Sequence, residues 1–210
     1  MKTRSTQSPV VTMTFTAILA ALILLMTFTG IAYIPIGPLK LTFNTLPVAI
    51  GAVVLGPMAG LLLGAVFGIS SFLTCVFGMD AFGVIILGIS PVKTVLLCVV
   101  PRLLCGLLPA LIYTGLKKVD KSGVVSAAVA CTATAVINTL LFTGSLWLFF
   151  IGDIASDPKI IELFGGAVID SFPVLFASFA GINAILEAAV NLVLGTAIVK
   201  VLFTLQKRMR

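Results

Sequence analysis

The sequence contains no histidine, and charged residues make up only 10% of its 210 positions, whereas 60% are hydrophobic. A soluble domain usually carries about 25% charged residues. Together with a mean hydropathy of +1.27, this composition predicts an all-α integral membrane protein. The absence of histidine removes histidine-based acid–base catalysis and the commonest zinc ligand.

Signatures of catalysis and redox chemistry are also missing. No GxxxxGK[ST] motif occurs, so any ATP hydrolysis that drives this protein must come from another chain. The four cysteines form no CxxC pair and lie in or beside apolar segments, where we expect small packing residues. A membrane enzyme would need partners for the outer acids Asp153, Asp157 and Glu162, which lie in an apparent loop. We therefore expect no enzyme, cofactor or metal.

Six apolar segments predict membrane helices, which need about 20 apolar residues each. The second segment is too short to cross upright and meets the third at Gly56-Pro57, so the two are expected to form a helical hairpin. Between residues 77 and 92 the chain looks irregular, with part of another helix between 82 and 100 as the alternative. We expect a single membrane domain over residues 1–210, a compact six-helix bundle. The predicted spans are residues 10–34, 46–55, 58–76, 94–116, 124–151 and 172–203.

Charge is distributed unequally between the two sides of the predicted bundle. Cytoplasmic loops carry an excess of Lys and Arg, so both termini are expected in the cytoplasm. Basic residues placed at membrane boundaries argue against nucleic acid as the partner for the net charge of +6. Loops 35–45, 77–93 and 152–171 then face outward and suggest a covered pocket, although the third is equally well explained as a solvated acidic connector. The cytoplasmic side holds one acid, Asp120, and the basic residues Lys2, Arg4, Lys117, Lys118, Lys121, Lys200, Lys207, Arg208 and Arg210.

Glu187 is a lone carboxylate inside the last apolar span. Asn183 and Asn191 stand four residues to either side, so all three share one helix face. An ionisable group at this depth is costly and by default marks a pathway or a ligand site. Three interpretations stay open at this point: a ligand contact, a proton relay, or a structural ion pair with Arg102.

Other polar residues fall at comparable depths in the predicted bundle. Asn138 lies near the middle of the fifth span and either contacts a ligand or bonds a neighbouring helix. Arg102 lies in the outer half of the fourth span and either faces a pocket or snorkels to the surface. Lys93 and Asn44 stand just before the fourth and second spans. These residues are expected to converge in an outer-half cavity. Aromatic residues could line that cavity or simply pack, namely Phe43, Phe72, Phe77, Phe82 and Trp147.

The cytoplasmic half of the first span carries Ala17 and Ala21, one helical turn apart. Small residues at this spacing let another helix approach closely. The partner helix belongs either to the bundle itself or to another protein.

Four stretches of the chain carry a resemblance to a known family: residues 35–64 (PIGPLKLTFNTLPVAIGAVVLGPMAGLLLG), 68–83 (GISSFLTCVFGMDAFG), 101–104 (PRLL) and 181–195 (GINAILEAAVNLVLG). With them, essentially the whole chain resembles the substrate-binding S components of energy-coupling factor (ECF) vitamin transporters. The first stretch, with its Gly-Pro hairpin, is the most specific. It is most similar to the group that includes pantothenate, folate and riboflavin binders.

The resemblance implies six helices in a prokaryotic plasma membrane and high-affinity capture of a vitamin from outside. It implies that the first and third loops cover the pocket. It also implies two kinds of partner, a membrane coupling (T) protein and two cytoplasmic ATPases. The family's alanine motif on the first helix contacts the coupling protein, and Ala17 and Ala21 match it.

The identity of the vitamin stays open in the sequence. Pantothenate comes first, because Arg102 or Lys93 could pair with its carboxylate while Asn138, Asn183 and Glu187 bond its hydroxyls and amide. Folate, riboflavin or another micronutrient is the alternative. A proton-coupled secondary transporter or a small channel is the rival of a different class, although six short spans without a repeated half argue against a two-repeat carrier.

Overall fold

A computed structural model describes residues 9–30, 33–36, 39–120, 122–163, 171–179 and 181–208, most of them helical. Long runs of apolar residues without internal turn signals produce this helical content. In chain order the helices are α1 (Pro9–Phe28), α2 (Thr45–Leu55), α3 (Pro57–Val76), α4 (Ala81–Ile89), α5 (Pro91–Leu116), α6 (Val124–Ser156), α7 (Pro158–Leu163), α8 (Phe172–Phe179), α9 (Gly181–Val190) and α10 (Thr196–Arg208).

Within the described residues, five helical segments are long and apolar enough to cross a membrane. They are α1, α3, α5, α6 and the stretch Asn183–Leu205, and α2 is a shorter apolar helix beside them. The predicted all-α, multi-pass membrane fold is therefore confirmed. The tight α2–α3 hairpin is also present, because Gly56 adopts a φ of 97° and Pro57 opens α3.

The first outer loop contains structure that the sequence analysis did not predict. Helix α1 ends at Phe28 rather than at residue 34, and two strands follow, β1 (Tyr33–Ile36) and β2 (Leu39–Thr42). They pair antiparallel with Tyr33 opposite Thr42. Pro35 cannot continue a helix, so these apolar residues pair as a short hairpin instead. We refer to β1 and β2 together as the hairpin.

The other two outer loops are also more helical than expected. Residues 77–92, predicted to be irregular, contain α4, whose first turn is capped by Asp80 through a 3.0 Å bond from the backbone N–H of Gly83. The alternative of a helix beginning near residue 82 was the better interpretation. In the third loop, α6 runs on to Ser156 and α7 follows it. Residues 164–170 of this loop lie outside the described residues.

The last predicted span is not one regular helix. It consists of α8, α9, a π-helical segment (Asn191–Gly195) and α10. Short π-helical insertions occur frequently at functional sites because they re-aim side chains. Here the insertion begins at Asn191, four residues after Glu187.

Close packing of α3 against α5 determines where Arg102 lies. A Cβ added at Gly64 would overlap the carbonyl oxygen of Arg102, and one at Gly60 would overlap that of Gly106. Small residues at this spacing allow two membrane helices to approach closely. The backbone of Arg102 is therefore held directly against α3.

Asp120, the acid that the charge pattern places on the cytoplasmic side, fixes the connection between α5 and α6. Asp120 accepts hydrogen bonds from the backbone N–H of Ser126 at 2.8 Å and from the hydroxyl of Ser122 at 2.7 Å. These bonds hold the pKa of the Asp120 carboxyl well below its usual range. Asp120 thus serves as a charged cap at the start of α6.

Candidate functional site

A cavity of about 380 Å³ lies inside the bundle between α3, α4, α5, α6 and α9 and the outer end of α1. Its volume falls in the lower part of the range of about 300–1,000 Å³ that is typical of small-molecule sites. On the orientation that the charges predict, the cavity lies in the outer half of the membrane. Four of the predicted site residues line it: Arg102, Asn138, Asn183 and Glu187.

Arg102 is turned inward because of its neighbour in the sequence. Pro101 has no backbone N–H, so the carbonyl oxygen of Leu97 has no helical donor four residues later. The Nη1 of Arg102 donates to this oxygen at 2.9 Å. The guanidinium also lies 4.4 Å from the ring centroid of Phe142 and 5.4 Å from that of Phe67.

At least one donor of Arg102 remains for a ligand. The side chain is buried, and its Nε has no hydrogen-bond partner among the described residues. A buried guanidinium without an anionic partner is costly, and a planar carboxylate is its best complement. Arg102 is therefore placed in the cavity and does not snorkel to the surface.

Glu187 divides its two carboxylate oxygens between the hairpin and the cavity. Its Oε1 accepts a 2.8 Å hydrogen bond from the backbone N–H of Thr42, the last residue of β2. Its Oε2 is buried without a hydrogen-bond partner in the described part of the chain. No ion pair joins Glu187 to Arg102 among the described residues. The carboxylate thus has one oxygen available to a donor in the cavity.

The two amides in the cavity wall come from different helices. Asn138 on α6 is buried, and its Oδ1 has no hydrogen-bond partner among the described residues. Asn183 on α9 lines the cavity one helical turn from Glu187 and is half-buried. A buried amide oxygen that accepts no hydrogen bond destabilises the folded protein. An N–H or O–H group of a bound ligand would donate to it and remove this cost.

Three predicted site residues lie outside the cavity lining. Asn44 is fully buried and donates from Nδ2 to the hydroxyl of Thr27 at 2.8 Å. Asn191 donates to the hydroxyl of Thr45 and to the carbonyl oxygen of Glu187, both at 2.9 Å. Lys93 is half-exposed and lies 3.9 Å from Asp153. The structure therefore brings together four of the seven predicted residues, and burial does not separate them from the rest, because Asn44 and Asn191 are also buried.

Several lining residues were not among the predicted site residues. Several of them are small and polar, and their signal was visible only in part: Thr139 and Thr143 lie one turn apart on α6, the helix that carries Asn138. Thr27 and Thr42 come from separate elements, so no local spacing connects them. The polar side chains that complete the lining are Ser71, Thr74 and Asp80.

The aromatic and thiol side chains of the cavity also differ from expectation. Of the five aromatic residues considered from sequence, Phe82 borders the cavity, together with Phe67 and Phe142. The four cysteines are free and buried. Cys75 and Cys98 also form part of the cavity wall.

Helix α1 exposes most of its apolar side chains. Of its residues only Ile23 and Thr27 are buried, while Met13 is 73% exposed. Ala17 and Ala21 both lie on the exposed surface. The described bundle therefore does not use this pair of small residues for its own packing.

The fold and the cavity define the class: a polytopic α-helical membrane protein with an internal cavity whose wall carries several polar side chains. The chain belongs to the family of ECF transporter substrate-specific components, which matches residues 11–202. This confirms the resemblance found in the sequence and makes the chain a component of a transporter in the cell membrane.

A relative supports the same class. The chain is 30% identical over 173 residues to the pantothenic acid transporter PanT of Lactococcus lactis subsp. cremoris (strain MG1363). The match covers 79% of this chain and 79% of that protein.

Proposed function

We propose that this S component binds pantothenate in the described cavity and delivers it to an ECF energising module. The observation that carries the proposal is the buried guanidinium of Arg102, whose Nε has no partner among the described residues. It favours a ligand with a single carboxylate. The similarity to a pantothenic acid transporter points to the same vitamin.

The remaining cavity groups suit the rest of a pantothenate molecule. Pantothenate has a carboxylate at one end, an amide in the middle and two hydroxyls at the other end. With the carboxylate on Arg102, the Oε2 of Glu187 and the Oδ1 of Asn138 would accept hydrogen bonds from the hydroxyls and the amide N–H. Asn183 would contribute a further polar contact from α9.

The alternative vitamins fit this arrangement less well. Riboflavin has no carboxylate, so it would leave the Arg102 guanidinium buried without an anion. Folate joins three units and carries two carboxylates, whereas the cavity of about 380 Å³ offers one arginine. Family membership also favours an S component over the proton-coupled carrier, so Glu187 is assigned to ligand binding and not to a proton relay.

The proposed partners are a membrane coupling protein and two cytoplasmic ATPases. The chain contains no phosphate-binding motif of its own, so hydrolysis would come from these partners. Ala17 and Ala21 are the proposed contact, since a pair of exposed small residues one turn apart permits close approach by a partner helix.

Direct binding tests the proposal. The purified protein is titrated separately with pantothenate, folate and riboflavin in detergent, with calorimetric detection, and co-purifying small molecules are identified by mass spectrometry. We expect saturable binding of pantothenate at one site and no competition from the other two. Recovery of a different vitamin, together with no heat from pantothenate, would overturn the proposed substrate.

A further inference from the structure

Asn44 stands at the start of α2 without capping it. An asparagine at this position usually accepts a hydrogen bond from an N–H of the first turn. The side chain of Asn44 makes no such bond and donates instead to the hydroxyl of Thr27 on α1, at 2.8 Å. Since Asn44 is fully buried and does not border the cavity, it holds two helices together and contacts no ligand there.

The backbone of Asn44 continues this connection toward the cavity. Its N–H donates to the hydroxyl of Thr42 at 3.3 Å, and the N–H of Thr42 donates to Oε1 of Glu187 at 2.8 Å. A chain of buried hydrogen bonds therefore runs from α1 through the end of the hairpin to the carboxylate on α9. Its two ends, Thr27 and Glu187, both face the cavity.

Few side chains of α1 are fully buried. Ile23 packs with Val48, Leu63 and Phe67, and most other side chains of α1 are exposed or only partly covered. The hydroxyl of Thr27 also lies 3.4 Å from that of Ser70 on α3. The bond from Asn44 is therefore one of the buried polar contacts at the outer end of α1, and it leads toward the hairpin.

We propose that Asn44 is a positioning residue that couples the hairpin, whose last residue Thr42 borders the cavity, to the first helix. While Glu187 holds the hairpin, Asn44 holds Thr27 and thereby sets the position of α1. Release of the hairpin frees α1, and displacement of α1 loosens the hairpin in return. The coupling follows from bonds within this chain and does not depend on which vitamin is bound.

Hydrogen–deuterium exchange of the full-length protein in nanodiscs, without added ligand, tests this coupling. The variants are Asn44→Ala, Thr27→Val and the double variant, and the peptides followed cover residues 20–28 and 39–46. Each single variant should raise exchange in both peptides by about fivefold, the effect of one lost hydrogen bond on a local opening equilibrium. The double variant should exceed Thr27→Val only slightly, because Thr27→Val already removes the bond to Asn44 together with the contact to Ser70.

Two further variants separate coupling from general loosening. Thr27→Ser keeps the hydroxyl and should restore wild-type exchange in both peptides. Thr16→Val is the matched control, since the Thr16 hydroxyl bonds only the carbonyl of Thr12 in its own helix at 2.8 Å. It should leave the peptide 39–46 unchanged.

The decisive comparison is the response of the hairpin to a change in α1. If Thr27→Val raises exchange in residues 20–28 but not in 39–46, the two elements are independent and the proposal is wrong. If Asn44→Ala does not fold, the comparison of Thr27→Val with Thr27→Ser tests the same coupling.

Discussion

Arg102 donates a hydrogen bond to the carbonyl oxygen of Leu97 at 2.9 Å, and it can do so because Pro101 leaves that oxygen without a helical donor. A proline within α5 thus orients the one arginine in the cavity wall. The side chain reaches back along its own helix, where Phe67 and Phe142 flank it.

Replacing Pro101 by alanine should lower pantothenate affinity without unfolding the protein. The new backbone N–H would compete for the Leu97 carbonyl, and the guanidinium would lose its fixed position. We expect a loss of about tenfold, equivalent to one hydrogen bond to a charged group, measured by calorimetry. Pro109→Ala is the control in the same helix, because Pro109 does not line the cavity. Equal losses in both variants would refute the orienting role of Pro101.

Arg102→Gln should abolish the preference for a carboxylate. Removing one partner of a buried charge pair costs about 2–5 kcal/mol, so pantothenate should bind at least about 30-fold more weakly. The neutral alcohol analogue pantothenol supplies the control, since it has no carboxylate and should lose much less affinity. A parallel loss for both ligands would indicate that the substitution had damaged the cavity in general.

Glu187 should show a graded response to substitution. Glu187→Gln retains an oxygen for the Thr42 N–H and should reduce pantothenate affinity by about tenfold through loss of the charge. Glu187→Ala removes both oxygens and should also raise hydrogen exchange at β2. Hydrogen exchange at β2 reports the bond from Thr42 to Glu187, whereas pantothenate affinity reports the contact of Glu187 with the ligand. Wild-type affinity in both variants would exclude Glu187 from the binding site.

Bulky residues at Ala17 or Ala21 should separate uptake from binding. Ala21→Phe should leave pantothenate binding by the purified protein unchanged, because neither alanine borders the cavity. Uptake by cells that also express an ECF module should fall at least about tenfold, as a lost close helix contact predicts. Leu22→Phe enlarges an adjacent exposed position of α1 and is the control. Normal uptake in the alanine variants would reject this docking face.

Gly64→Ala should weaken both the fold and the site. The added methyl would overlap the Arg102 carbonyl and force α3 away from α5, at a cost of about 1–3 kcal/mol. Thermal unfolding in detergent and pantothenate titration should both report the change. Gly144→Ala on α6 meets no atom within 4 Å and should be neutral in both measurements. An unchanged melting temperature for Gly64→Ala would contradict this prediction, because it would show that α3 and α5 accommodate the added methyl without loss of stability.

Much of the architecture was predictable because membrane helices are specified locally. A run of apolar residues must satisfy its backbone hydrogen bonds within the segment, and a helix is the ordinary solution. Helices α3 and α5 and the Gly56-Pro57 turn therefore lie close to their predicted bounds. The hairpin was missed because pairing between β1 and β2 is a relationship of two segments, and four-residue strands have little periodicity.

The site was predictable only where depth in the membrane gave the signal. Glu187, Arg102, Asn138 and Asn183 were recognised because polar side chains are expensive at that depth. Asn44 and Asn191 carry the same signal, yet they bond Thr27 and Thr45 outside the cavity lining. Residue type and depth do not distinguish an asparagine that binds a ligand from one that bonds a neighbouring helix, because either partner can satisfy the buried amide.

The sequence alone determined that this is a helical membrane protein of the ECF substrate-specific class and that Arg102, Asn138 and Glu187 lie within its apolar spans, because hydrophobicity and helix spacing are local properties. Only the tertiary structure decided which of those residues share a cavity. It also decided that the Arg102 guanidinium lies between Phe67 and Phe142 in the cavity wall and that Glu187 holds the hairpin, because both facts depend on atoms that other segments bring close.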